Sequence, residues 1–419
     1  MSTGALIVGA GQAGAQIAIS LREIGYREPI TLIGEEPYAP YQRPPLSKSV
    51  LLGDRDVLEL HIKGPNYFAE KSIRVITGER VESIEVDTDG VGGRASTSSG
   101  QVIEFEKLAL ATGAGARRLD VEGADLDGVH CLRGIDDAVT LRDRLRADQR
   151  IVVVGGGFIG LEFAAAARSR GADVTVLQST DRLLSRAVGP AISDFYLDAH
   201  TRRGVTVLLE SDLVAIHGDP HSRAVNAVEL ADGTRLAADL VVVGIGAKPN
   251  VELAEHLGLE CDGGIVVDAQ ARTSRTQIVA AGDCTVSLDP LTETRVRLES
   301  VQNAVNQGRC AAASLAGSMG IKPAVPYFWS DQYDLTLQIA GLSQGYDKVV
   351  IRGDRGSEQF AALYYRGSRL IAIDAVNCPR DYAAVLSALR SGAHIPAELA
   401  VQGALSLRDM MKAPIPAER

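Results

Sequence analysis

The sequence predicts an α/β protein: two similar parallel-sheet domains, followed by a smaller α+β domain at the C-terminal end. Three observations carry this. Ala5-Leu-Ile-Val-Gly9-Ala-Gly11-Gln-Ala-Gly14 reads as a buried strand and a G-x-G-x-x-G turn that opens a helix. Ile151-Val-Val-Val-Gly155-Gly-Gly157-Phe158-Ile159-Gly160-Leu-Glu162-Phe163 repeats that pattern far downstream. From Pro326 onward the composition shifts to short β-favouring runs. One glycine turn is a weak signal, because ordinary strand-to-helix packing also uses it. Two in one chain imply that one nucleotide cofactor hands something to another.

The bulk numbers are compatible with that plan. A chain of 419 residues has room for two to four domains, each with its own core. Hydrophobic content of 46% and charged content of 23% are ordinary for a soluble protein. A formal net charge of −10 argues against nonspecific binding to nucleic acid or anionic membrane. The five cysteines (Cys131, Cys261, Cys284, Cys310, Cys378) form no C-x-x-C pair and have no metal-ligand spacing. They read as buried thiols of a reducing compartment, and no metal site is expected. The first strand begins so near Met1 that no signal peptide is expected, and no uncharged apolar run is long enough to span a membrane. The expected location is cytoplasmic.

Each element has a local reason. After the first glycine turn, Ala15 to Ile24 carries helical apolar spacing, and Ile30 to Ile33 reads as the next strand. Glu35 follows where a Rossmann-like fold places a carboxylate for ribose hydroxyls, while Gly9, Gly11 and Gly14 let the backbone approach a pyrophosphate. Tyr41-Gln-Arg43-Pro-Pro45-Leu-Ser-Lys48 reads equally as a solvated loop or as a stiff segment holding cations against a cofactor. Residues 73–110 read as strands with a glycine-rich hairpin around Gly90 to Gly100, closing on Ala111-Thr112-Gly113, with Arg117 and Arg118 beyond. A linker and a helix from Asp136 to Arg146 lead to the second glycine unit. There Ala172 to Leu177 is the next strand, and the ribose-acid position holds Gln178 instead. Glutamine can bond a ribose hydroxyl but lacks the charge that repels a 2′-phosphate. With Arg182 and Arg186 nearby, NADH is favoured and NADPH left open. A second β-rich excursion then closes on Val243-Gly244-Ile-Gly246, so the two units share one series of elements. Asp283, in Ala281-Gly-Asp-Cys284, reads as a ribityl acceptor or a plain helix cap. A small-residue helix runs from Glu299 to Gly317. Beyond it come strands Leu335 to Ala340, Lys348 to Arg352, Phe360 to Tyr365 and Leu370 to Val376, a helix from Asp381 to Leu389 and an extended tail. Trp329 stands at the entrance of this last domain, either as an aromatic wall over a cofactor or as core.

Taken together, these motifs resemble the FAD-dependent NAD(P)H:ferredoxin reductases of bacterial oxygenase systems. The glycine fingerprints alone would indicate only a flavoprotein with two dinucleotide domains. Arg43-Pro-Pro-Leu-Ser-Lys48, Gly244-Ile-Gly-x-x-Pro-Asn250, Glu299-Ser-Val-Gln-Asn303 and Phe328-Trp-Ser330 narrow it to this branch. The resemblance implies an FAD domain over 1–115 and 246–325, an NAD domain over 116–245 and a C-terminal domain over 326–419. It implies FAD on Gly9 to Gly14, with Glu35 at the ribose and Pro45 and Lys48 near the isoalloxazine. Arg43, Val81, Ala111, Thr112, Gly113, Arg117, Asp283, Val301 and Trp329 would complete that site. NAD would lie on Gly155, Gly157, Phe158, Ile159 and Gly160, with Gln178 at its ribose, Glu162 near the nicotinamide and Gly246 closing the pocket.

Lys48 and Glu162 are the catalytic candidates: Lys48 to stabilise charge on the reduced ring, Glu162 to position the carboxamide. Disulfide reductases of this architecture pass electrons to a cysteine pair, and none exists here. The electrons are therefore expected to leave singly, to a [2Fe–2S] ferredoxin that serves a cytochrome P450 or Rieske-type oxygenase. The rivals are a rubredoxin reductase, a disulfide or coenzyme A-disulfide reductase, an NADH oxidase or peroxidase, and a redox-sensing scaffold like apoptosis-inducing factor. The cysteine-dependent rivals need a redox cysteine near residues 40–50, where the chain has Ser47. The scaffold would be expected to carry targeting or basic segments. Arg295, Arg297 and Arg309 are the candidate basic rim for the acidic ferredoxin, and a monomer or homodimer is expected.

Overall fold

The computed structural model describes residues 3–87, 92–289, 294–318, 324–401 and 405–411. The chain divides into two compact units. The first comprises Met1–Gln42, Leu58–Gly115 and Lys248–Pro326; the second comprises Arg43–Val57, Ala116–Ala247 and Tyr327–Arg419. Arg43–Val57, which the sequence reading assigns to the first domain, clusters with the second unit.

The first unit is built on a five-stranded parallel sheet. Its spatial order is Ile278–Ala280, Lys107–Leu110, Ala5–Val8, Ile30–Ile33, Ile73–Ile76. Ala5 pairs with both Ile30 and Lys107, so the first strand is central. All four of its residues are buried: Ala5 and Ile7 pack on one face, Leu6 and Val8 on the other. A strand covered on both faces needs an unbroken apolar run, which is what the sequence supplies. The helices Gln12–Glu23 and Val301–Leu315 cover one face, and they approach closely because Gly308 faces Ala13 and Gln16 without a side chain. The excursion is a three-stranded antiparallel sheet, Val81–Val86, Gly93–Thr97 and Val102–Phe105. The hairpin expected around Gly90 falls partly outside the described residues.

The second unit repeats this plan and adds a layer. Its parallel sheet has the order Thr206–Leu208, Asp173–Leu177, Arg150–Val154, Leu240–Val243, Val129–Cys131. Its excursion is again three antiparallel strands, Leu213–Gly218, Val225–Leu230 and Arg235–Ala237. The added layer is a five-stranded antiparallel sheet in the order Tyr327–Gln332, Leu335–Gly341, Arg369–Val376, Gln359–Arg366, Lys348–Asp354. The helix Pro379–Ser391 buries Val385 and Ala388 against it. This is the α/β and α+β combination that the periodicities predict.

One expectation is corrected and one open reading is narrowed. Beyond the helix Pro379–Ser391, where an extended tail is expected, the described residues are not merely extended. Ala397–Ala400 forms a helical turn, Leu407 and Met410 are buried, and the Arg352 guanidinium donates to the carbonyls of Ala400 (3.2 Å) and Leu405 (2.5 Å). Of the two readings left open for Tyr41–Lys48, the solvated loop does not fit. Pro44–Ser47 winds one 3₁₀ turn with Leu46 and Ser47 buried, and Ser49–Leu52 continues as a helical turn. Prolines at the first two positions suit such a turn, since both preset φ and neither needs its missing N–H. Among the described residues no helix is long and apolar enough to cross a membrane.

Candidate functional site

Each parallel sheet changes direction of winding beside the strand that leads into its glycine turn, and ligands of such sheets bind outside the strand ends at that point. In the first unit the place is marked by Gly9 and Ala111. Gly9 has φ +113°, and a Cβ there would stand 2.0 Å from the Ala111 carbonyl oxygen. A Cβ on Gly14 would stand 1.8 Å from the Gly9 oxygen. Gly11 differs, because a Cβ there would meet nothing within 4 Å. It is also the N-cap of Gln12–Glu23, and no side chain caps that helix. Two glycines thus close the turn, and the middle one opens the helix N-terminus to an anion.

The second unit repeats this geometry. Gly155 has φ +112° and a Cβ there would lie 2.5 Å from the Gly244 oxygen, while one on Gly160 would lie 2.0 Å from the Gly155 oxygen. A Cβ on Gly157, the uncapped N-cap of Phe158–Ser169, would meet only the Gly244 oxygen at 4.0 Å. Both cradles therefore fit a dinucleotide's pyrophosphate.

Glu35 is exposed just past the strand Ile30–Ile33, where a ribose acid belongs. Thr112 and Asn250 lock the turn after the strand Lys107–Leu110: the Thr112 hydroxyl donates to the Asn250 carbonyl (2.7 Å), and Nδ2 of Asn250 donates to the Thr112 carbonyl (2.9 Å). Gly113, at φ +67°, completes it. Asp283 is half-buried after Gly282, whose N–H donates to Gln307 Oε1 at 2.8 Å. That same oxygen accepts from Thr285 and Asn303, so Gln307 ties the Asp283 turn to the helix Val301–Leu315. Val301 opens that helix behind Ser300, which accepts from the Asn303 N–H. Val81 packs in the core.

In the second unit Gln178 turns back onto the cradle. Its Oε1 accepts from the Gly156 N–H (2.7 Å), and its Nε2 donates to the Thr180 hydroxyl (2.5 Å). Arg182 is committed to its own loop, donating to the Val188 and Ser185 carbonyls and the Ser193 hydroxyl. Arg186 instead points a guanidinium nitrogen to within 3.5 Å of where a Gly246 Cβ would be. Arg117 frames the same turn, its N–H donating to the Gly246 carbonyl at 3.0 Å. Phe158 stacks on Phe328 with centroids 4.5 Å apart, Ile159 is exposed, and Trp329 is half-buried on the strand Tyr327–Gln332. Arg43 donates to the Arg133 carbonyl at 2.8 Å.

Glu162 sits one turn into Phe158–Ser169 and is 3% exposed. Its Oε1 lies 2.9 Å from Lys48 Nζ and accepts from the Ser330 hydroxyl at 2.6 Å; its Oε2 accepts from the Ser47 hydroxyl at 2.5 Å. A buried carboxylate is expensive unless paired and hydrogen-bonded, and here it is both. The two catalytic candidates are thus in direct contact within one unit. Sequence reasoning missed the serines. Ser330 carried a detectable signal, because Ser330 and Gln332 put two polar residues on the buried face of one strand.

The cysteines are unsuited to redox exchange. All five are free, and burial pushes each thiol above its ordinary pKa. Among the described residues no cluster of three or more His, Cys, Asp or Glu could hold a metal. Two arginines of the expected basic rim are engaged in ion pairs. Arg295 is paired with Glu260 and Asp262, and Arg297 with Glu299, so their charge is largely neutralised locally.

Residues 4–308 match the family model described as pyridine nucleotide-disulphide oxidoreductase. The chain belongs to this family. Residues 327–411 match a second model, the reductase C-terminal domain. Rhodocoxin reductase of Rhodococcus erythropolis is 44% identical over 379 residues, 90% of this chain and 87% of that one. A ferredoxin reductase for the CYP199A2 system of Rhodopseudomonas palustris superposes with a TM-score of 0.92 and 40% identity, covering 97% of this chain and 99% of the other. The covalent putidaredoxin reductase–putidaredoxin complex gives a TM-score of 0.93 at 36% identity, with 97% of both chains covered. This pyridine nucleotide-disulphide oxidoreductase is therefore an enzyme of the ferredoxin reductase branch, although its family name refers to a disulphide for which it has no cysteine pair.

Proposed function

We propose that the protein takes reducing equivalents from NADH and passes them, one electron at a time, to a [2Fe–2S] ferredoxin that serves a cytochrome P450 or Rieske-type oxygenase. The observation that carries this is the duplicated cradle, two uncapped helix N-termini each behind an open middle glycine, in a chain without a thiol pair. FAD, when bound, supplies the conversion of a two-electron hydride into single electrons. Gly9 to Gly14 would hold its pyrophosphate and Glu35 its ribose, with Ala111 to Gly113, Asp283 and Val301 lining the strand and helix ends of the same unit.

In the second unit Gly155 to Gly160 would hold the NADH pyrophosphate, with Gly246 at the pocket's edge. Gln178 binds the cradle backbone and offers no charge against a 2′-phosphate, so NADH preference rests on fit alone. Glu162 accepts three hydrogen bonds from the protein and, as a carboxylate, has capacity for one more, which suits the carboxamide N–H of nicotinamide. Lys48 is the more accessible partner of that pair, its side chain 19% exposed against 2% for Glu162.

Stopped-flow reduction of the purified yellow protein by NADH and by NADPH, followed by mixing with a [2Fe–2S] ferredoxin or a rubredoxin, tests the reading. Fast bleaching by NADH and transfer to the ferredoxin are expected. Absence of bound flavin, or bleaching without transfer to either acceptor, would overturn it.

A further inference from the structure

The Lys48–Glu162 pair is backed by a buried series of groups that the hydride chemistry does not touch. Ser330 and Gln332 face inward from the strand Tyr327–Gln332, and His200 lies on the last turn of Pro190–Arg202; all three are buried. Ser330 Oγ is 2.6 Å from Glu162 Oε1, Gln332 Nε2 is 3.1 Å from Ser330 Oγ, and His200 Nε2 is 2.8 Å from Gln332 Oε1. The Tyr333 hydroxyl stands 3.5 Å from His200 Nδ1, and Tyr333 is only half-buried.

Elementary chemistry assigns every proton in this series. A carboxylate paired with an ammonium only accepts, so the single Ser330 proton goes to Glu162. Ser330 Oγ must then accept, which turns the Gln332 amide nitrogen towards it and the amide oxygen towards His200. That oxygen in turn needs a donor, so His200 carries its proton on Nε2 and leaves Nδ1 to accept from Tyr333. Burial lowers the His200 pKa to about 4, which agrees with a neutral ring holding one proton. The donors all point one way, ending on Glu162, and aligned hydrogen bonds polarise one another. The series is not a proton wire, because the Gln332 amide does not give up protons at neutral pH. It conveys orientation.

We propose that Ser330, Gln332 and His200 are positioning residues for NADH oxidation, a one-way hydrogen-bond chain that fixes Glu162 in the rotamer that grips Lys48 and meets the nicotinamide. The inference rests on the reading that the second unit binds NADH with Glu162 at the reacting end. Its consequence is that residues of the antiparallel C-terminal layer set the rate of a step performed in the parallel-sheet layer of the same unit.

Two measurements test the chain. In the unaltered holoenzyme, ¹⁵N-histidine NMR at neutral pH should show His200 as the Nε2–H tautomer; the Nδ1–H tautomer reverses the direction and overturns the proposal. Ser330→Ala and Gln332→Met should each lower the limiting rate of flavin reduction by NADH about tenfold with KM changed far less. The double variant should be no slower than either single one, and Ser330→Thr should restore the rate. Reduction by dithionite and electron delivery from the pre-reduced enzyme should not change. Folded variants with unaltered NADH rates, or rate losses that multiply in the double variant, would sink the chain. Should a variant fail to fold, the tautomer decides. Unaltered enzyme that NADH does not reduce would instead count against the proposed function.

Discussion

Replacing Asp374 with asparagine should stabilise the protein by an amount that grows with pH. Asp374 is fully buried on the strand Arg369–Val376. The Tyr364 hydroxyl donates to its Oδ2 at 2.5 Å and the Gly189 N–H lies 3.5 Å away, while Oδ1 has no partner among the described residues. Burial without a cation pushes its carboxyl up to about 7, against 3.8 ordinarily. Because the folded pKa is raised, the native state keeps a proton that the unfolded chain has lost. Stability from this group is therefore complete below about pH 4 and falls as pH rises to about 7, in all by roughly 4 kcal/mol. Asparagine keeps an acceptor for Tyr364 and never ionises. Between pH 5 and pH 8 the advantage of Asp374→Asn over the parent should widen by about 3 kcal/mol, on the order of 5 °C in melting temperature for a unit of this size. Thermal melts at matched ionic strength give the number. A gap of equal size at both pH values would show that Asp374 does not titrate in this range, and the argument from burial would fail.

Further outcomes follow from the cradles and the surface. Gly14→Ala and Gly160→Ala force a Cβ to within 2.0 Å of a backbone oxygen, so the first should yield protein lacking flavin and the second protein that keeps flavin but resists NADH. Gly157→Ala meets nothing closer than 4.0 Å and should melt like the parent while raising the KM for NADH several-fold, as steady-state kinetics would read. Gln178→Glu keeps an acceptor for the Gly156 N–H and adds a charge; the ratio of kcat/KM for NADH over NADPH should rise about tenfold. Arg309→Glu, at an exposed position on the helix Val301–Leu315, should raise the apparent KM for ferredoxin and leave ferricyanide reduction alone. His200 acts on stability in the opposite sense to Asp374. Its pKa is depressed, so its contribution is present above about pH 6.5 and lost as pH falls through about 4, visible as acid lability that His200→Gln relieves.

The cradles were legible in the sequence because their requirement is local. Only glycine fits where a Cβ would enter a carbonyl oxygen a few residues away, as at Gly14 against Gly9 or Gly160 against Gly155. The buried strands were legible for the same reason, since Ala5–Val8 and Ile151–Val154 carry their burial in consecutive residues. Glu162 could be named, but its surroundings could not. Ser47, Ser330 and, behind it, Gln332 and His200 reach it from three distant segments, and no spacing rule links positions brought together only by folding. The partners of charged side chains were hidden in the same way. The sequence places Arg182 beside the ribose position and Arg295 on a candidate rim, yet the first is spent on its own loop and the second pairs with Glu260 and Asp262.

Ser47 has a consequence for how this scaffold can change. It stands in the segment where the thiol-using rivals require a nucleophilic sulfur, but its hydroxyl is a donor to the Glu162 carboxylate. A cysteine placed there would face the Lys48–Glu162 ion pair and would replace a good donor with a poor one. The exchange would therefore weaken the hold on Glu162 and, through it, on Lys48. Thiol chemistry at residue 47 would thus come at the expense of the carboxylate's support, which ties the fate of residue 47 to that of residue 162.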